Sequence, residues 1–193
     1  MKKIKNFNQY KLPNLVILGQ PGAGKGTMTN LLKDEHNYNL ICTGDMLRAE
    51  KKSGSDLGKK VAKLIDDGNL VPDEIVDEMV ETKLKNMLGP YLLDGYPRTI
   101  SQAETLDKLL DNIQVIWLEV PEEVTIQRNL KRGEKSNRPD DANEEVIKKR
   151  LYAYNKESKP VKDFYKKSNR VIEIDGEGEI DEVFERIKKV LNI

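Results

Sequence analysis

The residues with the clearest chemistry lie in segment 19–27, which has the sequence GQPGAGKGT and follows the apolar run LVIL at 15–18. A glycine-rich turn between a strand and a helix points several backbone N–H groups at one anion, and glycine lets the backbone approach a phosphate closely. Lys25 adds a positive charge beside the terminal phosphates. The segment departs from the pattern GxxxxGK[ST], because Gly26 stands where a magnesium-binding hydroxyl usually follows the lysine. It predicts a site for a nucleotide phosphate, and the plain alternative is a strand-to-helix turn with a solvated lysine.

Six arginines could serve the same chemistry, because planar guanidinium groups neutralise the charge on a transferring phosphoryl group without moving a proton. Arg128 and Arg132 lie four residues apart near the end of one helical pattern and therefore share a face. The others follow predicted strands, or lie in or after a polar segment: Arg48, Arg98, Arg138 and Arg150. For any one of them a solvated surface position is the ordinary alternative. Together they favour phosphoryl transfer to an acceptor that is already anionic and needs no general base.

Strand and helix patterns alternate along the chain. Short apolar runs predict strands at 15–18, 39–42, 91–94, 115–118 and 171–174. Helical patterns cover 25–35, 44–52, 56–67 and 73–87, and others begin at Ser101, Pro121, Asn143 and Glu179. Strands separated by helices indicate an α/β fold with a parallel sheet, helices on both faces, and ligands at the carboxyl ends of the strands.

Two regions depart from this plain alternation. Three helical patterns separate the second and third strands where one crossover helix would suffice, which predicts an inserted helical subdomain over 44–73. The polar run from Lys131 to Ala142 cannot pack a core, so it is either a floppy connection or a lid over the site. The neighbouring arginines favour a lid over 132–142, which phosphate charge would draw shut. Residues 1–12 predict a loosely ordered extension, with membrane or partner contact as the alternative.

Composition narrows the possible partners and compartments. The chain carries 33 basic and 33 acidic residues, which argues against a broad nucleic-acid footprint. Cys42 is the only cysteine, so an internal disulfide and a cysteine-based zinc cluster are both excluded. No apolar stretch approaches the length of a membrane span, and residues 1–11 lack the apolar core of a signal peptide. The sequence predicts a cytoplasmic chain of one domain, without nucleic-acid or membrane partners.

Several segments, in the same order and at the same spacing, resemble adenylate kinases: GQPGAGKGT (19–27), TGDMLR (43–48), GNLVPDEIV (68–76), LDGYPRT (93–99) with Gln102, and RNLKRG (128–133) through KKRL (148–151). The resemblance covers residues 14–190. It implies a P-loop three-layer sandwich with a five-stranded parallel sheet of order 2-3-1-4-5, a nucleoside-monophosphate-binding insertion and a mobile lid. It also implies the magnesium-dependent conversion of ATP and AMP into two ADP, and the reverse reaction.

The resemblance implies that the glycine-rich loop holds the donor nucleotide. The residues that would cradle the ATP phosphates are Gly22, Ala23, Gly24, Lys25, Gly26 and Thr27. Arg128 would stack on the ATP adenine, Gly178 would touch this base through its backbone, and Arg132 would bind the phosphates. Asp94 is similar to the family's carboxylate that orients Mg²⁺ through water, and its plain alternative is a residue that only ends a strand.

The resemblance also implies a site for AMP. Its base and sugar would be held by Thr43, by the backbone of Asn69, Leu70 and Val71, and by Gln102, with Gly95, Tyr96 and Pro97 in the same site. Arg48 and Arg98 would grip the phosphate of AMP, and Arg138 and Arg150 would clamp the transferring group. The catalytic set would be Lys25, Arg98, Arg132, Arg138 and Arg150. Plain alternatives are that Thr43 caps a helix and that Gln102 only occupies a first helical turn.

The identity of the acceptor is the open point. The lid segment is short and has no cysteine or histidine, so we expect no structural zinc. Short lids also occur in relatives that phosphorylate UMP and CMP, where the positions of Thr43 and Gln102 are usually Ala and Asn; both residues here favour adenine. The alternatives are a UMP/CMP kinase or another nucleoside-monophosphate kinase, a small-metabolite kinase, and a nucleotide-dependent switch. The last two would not need Arg48 and Arg98, and we expect a monomer.

Overall fold

The computed structural model describes residues 12–135 and 143–193. Arg138, most of the predicted lid and residues 1–11 of the predicted extension lie outside the described residues. Along the described chain, every helix is too short or too polar to cross a membrane.

Five parallel strands form a sheet in the order β2-β3-β1-β4-β5, which confirms the predicted topology. They are β1 (Asn14–Gly19), β2 (Asn39–Cys42), β3 (Tyr91–Asp94), β4 (Ile113–Glu119) and β5 (Val171–Asp175). Every residue of β1 and β3 is buried, as expected for central parallel strands that are covered on both faces. Asp94 at the end of β3 is in register with Ile17 of β1 and Cys42 of β2, so the carboxyl ends of these strands lie side by side.

All but one of the described helices begin close to the positions that the sequence predicts; the exception is a separate helix that begins at Lys159. They are α1 (Lys25–His36), α2 (Thr43–Ser53), α3 (Asp56–Asp66), α4 (Asp73–Lys85), α5 (Ile100–Leu109), α6 (Glu122–Lys135), α7 (Glu144–Ala153), α8 (Lys159–Lys166) and α9 (Ile180–Leu191). Side-chain caps explain four of the starts: Ser55 and Thr99 each accept a hydrogen bond from the backbone N–H three residues on, Asn143 accepts from those of Glu145 and Val146, and Glu179 forms a capping box with Glu182.

The core has two parts, one on each face of the sheet. Alternate residues of β1 point to opposite sides: Val16 and Leu18 pack with side chains of α2, α3, α4, α5 and α8. Leu15 and Ile17 pack with side chains of α1 and α9. Helices therefore cover both faces, which confirms the predicted three-layer sandwich.

Part of the predicted polar loop is helical, which corrects the sequence analysis. The loop was expected to begin at Lys131, but α6 continues through Lys135. Lysine, arginine and glutamate favour helix, and together they offset Gly133, which costs about 1 kcal/mol relative to alanine inside a helix. Arg132 therefore lies on the same helix as Arg128, as the spacing of the two arginines predicts.

A π-helical turn at Tyr154–Ser158 joins α7 to α8, and the sequence pattern did not indicate it. Pro160 lies at the start of α8 and has no N–H to donate to the preceding turn. Widening of the helix just before the proline accommodates this missing hydrogen bond. The turn brings Tyr154 and Ser158 to the rim of the cavity described below.

Candidate functional site

The phosphate loop lies between β1 and α1, in the strand–turn–helix context that the sequence predicts. Gly22 and Gly24 have φ angles of +90° and +92°, which favour glycine. A Cβ at Gly22 would lie 2.5 Å from the carbonyl oxygen of Thr125, so the close approach of α6 also requires glycine there. The loop leads directly into the N-terminus of α1 at Lys25, where backbone N–H groups and the helix dipole favour an anion.

The Lys25 ammonium lies against the carbonyl groups of this loop. Its Nζ donates to Gly19 O at 2.8 Å and to Gln20 O at 3.0 Å. The pKa of Lys25 is lowered from 10.5 to about 8, mainly because burial disfavours the charged form. The ammonium is therefore mostly protonated at neutral pH, but it loses its proton more easily than an ordinary lysine does. A nearby phosphate would stabilise its charged form.

Four cationic side chains share the carboxyl edge of the sheet: Lys25, Arg98, Arg132 and Arg150, which we call the cation cluster. All three arginines contribute to the lowered pKa of Lys25, whereas Asp94 opposes it. Burial, and then Arg150, lower the pKa of Arg98. The mutual repulsion in the cation cluster would be relieved by an anion bound among its members.

Asp94 faces the phosphate loop from the end of β3. Its side chain is buried, and its Oδ2 lies 3.6 Å from the position that a Cβ at Gly26 would occupy. The absence of a side chain at Gly26, which distinguishes this loop from the common pattern, therefore leaves room between loop and carboxylate. On the other side, Cys42 Sγ donates to Oδ2 at 3.8 Å, and burial followed by the charge of Asp94 raises the pKa of Cys42 to about 11. The thiol is thus protonated at neutral pH.

The predicted acceptor residues gather beside this carboxylate. Thr43 is the first residue of α2 and does not cap it; its Oγ1 donates to Gly95 O at 2.9 Å. Arg98 Nε donates to the same oxygen at 2.8 Å. A Cβ at Gly95 would lie 3.0 Å from both Arg98 Nη2 and Thr43 Oγ1, and one at Gly44 would lie 3.2 Å from the guanidinium nitrogens of Arg48. Two glycines thus leave space for the side chains predicted to bind AMP.

Gln102 is almost fully buried in the first turn of α5, and both ends of its amide are engaged. Its Oε1 accepts from Arg98 N at 2.7 Å, and its Nε2 donates to Asp73 Oδ1 at 2.8 Å. Gln102 does occupy a first helical turn, as the plain alternative in the sequence analysis stated. It nevertheless lines the cavity at the carboxyl edge.

One cavity brings Lys25 together with most of the predicted acceptor residues. Those that line it are Lys25, Thr43, Arg48, Asn69, Leu70, Val71, Gly95, Pro97, Arg98, Gln102 and Arg150. Tyr96 is fully buried and is not among the residues that line this cavity, and its hydroxyl donates to Asp77 Oδ1 at 2.6 Å.

The residues predicted to hold the ATP adenine lie apart from this cavity, near the loop that follows β5. Arg128 Nη1 donates to Gly176 O at 3.1 Å, which ties α6 to that loop. Gly178 follows two residues later, exposed and with a φ of +104°. Arg132 lies one turn beyond Arg128 on α6, and its Nη2 donates to Asn129 Oδ1 at 2.7 Å. Arg138 lies outside the described residues.

Comparison with known proteins decides the family. A family model described as Adenylate kinase matches residues 17–170. The chain is 40% identical over 186 residues to an adenylate kinase of Flavobacterium johnsoniae, and 42% identical over 187 residues to one of Bacteroides fragilis; each match covers 93% of this chain and 98% of that protein. An adenylate kinase of Methanothrix thermoacetophila is 37% identical over 212 residues, with the same coverage. This chain belongs to the adenylate kinase family.

Sequence reasoning missed one polar side chain of this adenylate kinase family member. Asn129 is fully buried on α6, and its Nδ2 donates to Pro21 O of the phosphate loop at 3.0 Å and to Thr125 O at 2.9 Å. Its Oδ1 accepts the hydrogen bond from Arg132. Asn129 therefore couples the loop to a member of the cation cluster. The only indication in the sequence was an asparagine on the buried face of a predicted helix. This pattern does not indicate which groups the asparagine binds.

Replacement of Asn129 by leucine, which has a similar shape, is expected to destabilise the fold. The variant leaves Pro21 O without its donor and Arg132 without this acceptor, so we expect the free energy of unfolding to fall by about 1–3 kcal/mol. Chemical denaturation measures this change. The control is Lys131→Ala on the exposed side of the same helix, which should stay within about 0.5 kcal/mol of the wild type. Equal stability of N129L and the wild type would contradict the coupling.

Proposed function

We propose that this chain transfers a phosphoryl group from ATP to AMP and releases two molecules of ADP. The observation that carries the proposal is the shared cavity, which joins Lys25 of the phosphate loop to Thr43, Arg98 and Gln102. A donor triphosphate and an acceptor monophosphate can meet in such a space and react directly. A nucleotide-dependent switch would not need a second phosphate site beside the loop.

On the donor side, the phosphates of ATP occupy the loop formed by Gly22, Ala23, Gly24, Lys25, Gly26 and Thr27. The positive φ angles of its glycines and the start of α1 support this assignment. Arg132 reaches the phosphates from α6, where Asn129 orients it. Arg128 and Gly178 flank the adenine, and the hydrogen bond from Arg128 to the loop after β5 supports their proximity.

On the acceptor side, AMP lies in the part of the cavity formed by α2, the segment before α4, and the start of α5. Thr43, Gln102 and the backbone of 69–71 hold its base and sugar, and the segment 95–97 closes the site from below. Arg48 and Arg98 bind the phosphate of AMP, because their guanidinium groups present paired donors to its oxygens. Arg150 binds the phosphoryl group during its transfer. Arg138, which the sequence alone supports, has the same role.

The cation cluster accounts for the chemistry. During transfer, negative charge spreads over the equatorial oxygens of the phosphoryl group. Fixed positive charges in a site that excludes water stabilise that negative charge. After burial, the charges of Arg98, Arg150 and Arg132 each help to lower the pKa of Lys25, so these side chains already repel its ammonium in the absence of ligand. The positive charge is thus in place before the reaction begins.

The carboxyl edge also suits Mg²⁺, which prefers oxygen ligands, keeps several waters and binds through one or two carboxylates plus substrate phosphates. Asp94 offers one carboxylate that faces the space over Gly26. Among residues 12–135 and 143–193 there is no group of three or more His, Cys, Asp or Glu side chains that could hold a metal by itself. As the resemblance to adenylate kinases implies, Asp94 would hold the ion through water, and the bound ion would neutralise phosphate charge.

Two segments are proposed to move. The insertion over 44–73 ends beside α7, because a Cβ at Gly68 would lie 3.2 Å from Val146 O and 3.3 Å from Arg150 Cγ. A shift of the insertion would therefore change the contacts of the helix that carries Arg150. Most of the lid proposed at 132–142 lies outside the described residues, so its support is the sequence alone. Closure of both segments would keep water away from the transferring group.

A coupled assay with ATP, Mg²⁺ and each of AMP, GMP, CMP and UMP tests the proposed function. We expect the highest kcat/KM for AMP, by about 10- to 100-fold over CMP, since a buried amide left unpaired penalises the wrong base. Equal use of CMP or UMP would make the chain a UMP/CMP kinase. Absence of transfer to all four monophosphates would refute a nucleoside-monophosphate kinase.

Replacement of Lys25 by methionine should nearly abolish turnover while the fold persists. The variant removes positive charge from the place where negative charge develops, and a tenfold loss corresponds to a barrier increase of about 1.4 kcal/mol. Steady-state kinetics and circular dichroism are the measurements. Lys33→Met, at an exposed position of the same helix, should retain wild-type turnover. If K25M kept more than about a tenth of the wild-type rate, the role of Lys25 would be wrong.

The lowered pKa of Lys25 predicts that ATP binding depends on pH. In the free protein this ammonium loses its proton as the pH rises through about 8, and bound phosphate should raise the pKa again. Binding above pH 8 must therefore take up a proton, and affinity should fall by up to about tenfold per pH unit. Calorimetry at pH 9 in buffers of different ionisation enthalpy measures the uptake. We expect it in the wild type and not in K25M; equal uptake in both would contradict the assignment.

A further inference from the structure

The carboxylate of Asp73 lies behind the predicted base-binding amide and accepts hydrogen bonds from side chains at the start of the neighbouring helix. Asp73 is the first residue of α4, yet its side chain reaches α5. Its Oδ1 accepts from Gln102 Nε2 at 2.8 Å, and its Oδ2 accepts from Thr99 Oγ1 at 2.5 Å. Thr99 Oγ1 in turn accepts from the backbone N–H of Gln102 at 3.1 Å. The three residues form a closed ring of hydrogen bonds.

This ring determines which way the Gln102 amide points. An ionised carboxylate only accepts hydrogen bonds and a backbone N–H only donates them. Asp73 therefore requires the amide nitrogen on its side, and the N–H of Arg98, 2.7 Å from Oε1, requires the amide oxygen on the other. Rotation of the amide by half a turn would set oxygen against carboxylate and nitrogen against N–H. Such a buried mismatch is costly, so one orientation is enforced.

The orientation leaves a defined pattern for a ligand. A glutamine amide has two N–H groups and two oxygen lone pairs; Asp73 uses one of the N–H groups, and the backbone N–H of Arg98 uses one of the lone pairs. One donor and one acceptor remain side by side on Gln102, which lines the cavity. They match the edge of adenine, where the 6-amino group donates and N1 accepts. A 6-oxo purine such as that of IMP presents the opposite pattern, an acceptor at position 6 and a donor at N1.

We propose that Asp73 is a positioning residue that sets the base selectivity of the acceptor site. By holding the Gln102 amide in one orientation, Asp73 favours 6-amino purine monophosphates over 6-oxo purine monophosphates. The inference rests on the proposed function, since it concerns the monophosphate that this site accepts. Asp73 need not touch the nucleotide, because it acts through Gln102.

The test compares Asp73→Asn with Glu74→Gln. Each variant removes one negative charge from the first turn of α4, but Glu74 is exposed and only Asp73 contacts Gln102. The asparagine amide can donate as well as accept, so it removes the penalty that Asp73 places on the reversed orientation of Gln102 and leaves only the penalty from the Arg98 N–H. The measured quantity is the ratio of kcat/KM for AMP to that for IMP, with ATP as donor. We expect D73N to lower this ratio by at least about tenfold, and E74Q to leave it within about twofold of the wild type.

A merely structural role for Asp73 would give a different result. Loss of structure would lower kcat/KM for AMP and IMP by the same factor, raise the KM for ATP and lower the Tm; such a uniform loss would overturn the proposal. Asp73→Glu keeps the accepting carboxylate and should retain the preference for AMP. An unchanged ratio in D73N would also overturn the proposal.

The wild type provides a test that does not depend on the variants. We expect it to prefer AMP over IMP by about 100-fold or more, because a fixed amide meets two mismatched groups in IMP. Similar use of both, within a few-fold, would overturn the proposal even if D73N failed to fold. Failure of the wild type to phosphorylate AMP would refute the proposed function instead. The affinities for AMP and IMP, measured by calorimetry, would then still decide whether Asp73 sets base selectivity.

Discussion

Repulsion among partly buried positive charges is the constraint on which the site depends. The members of the cation cluster come from different elements of the fold. Nevertheless, the three arginines lie close enough to Lys25 to lower its pKa, in addition to the larger effect of burial. Folding does not gain from this crowding, because like charges in a poorly solvated place destabilise one another. The rest of the fold must therefore hold these side chains in position until polyanionic ligands compensate their charge.

Glycines and hydrogen-bonded polar side chains form the supporting structure around the cation cluster. Parallel strands bring their carboxyl ends to one edge, and glycines at 22, 26 and 95 leave space where a Cβ would meet Asn129, Asp94 or Arg98. Asn129 binds the phosphate loop on one side and Arg132 on the other. On the acceptor side, Asp73 fixes an amide in the same manner. Both halves of the site are thus oriented by buried hydrogen bonds to residues that need not touch the nucleotides.

The sequence was sufficient to predict the features that are local. Apolar runs and glycine-rich turns predicted the five strands and the loop at 19–27, because burial and positive φ angles impose residue types directly on short segments. Pairings between distant residues were not accessible in this way. Asn129 bonds Pro21 across 108 positions, and Gln102 bonds Asp73 across 29; amphipathic patterns say which face is buried but not which partner it meets. The helical run from Lys131 to Lys135 was missed because a polar composition suits both exposed helix and loop.

The central claim is that donor and acceptor phosphates occupy one continuous site built around the cation cluster. Calorimetric titration of the wild-type chain with a bisubstrate analogue, in which phosphates join two adenosines, tests it most directly. One analogue should bind per chain and more tightly than either ATP or AMP, because a single ligand then engages both halves of the site. Binding no tighter than that of ATP, or two analogues per chain, would show that the two halves do not form one site.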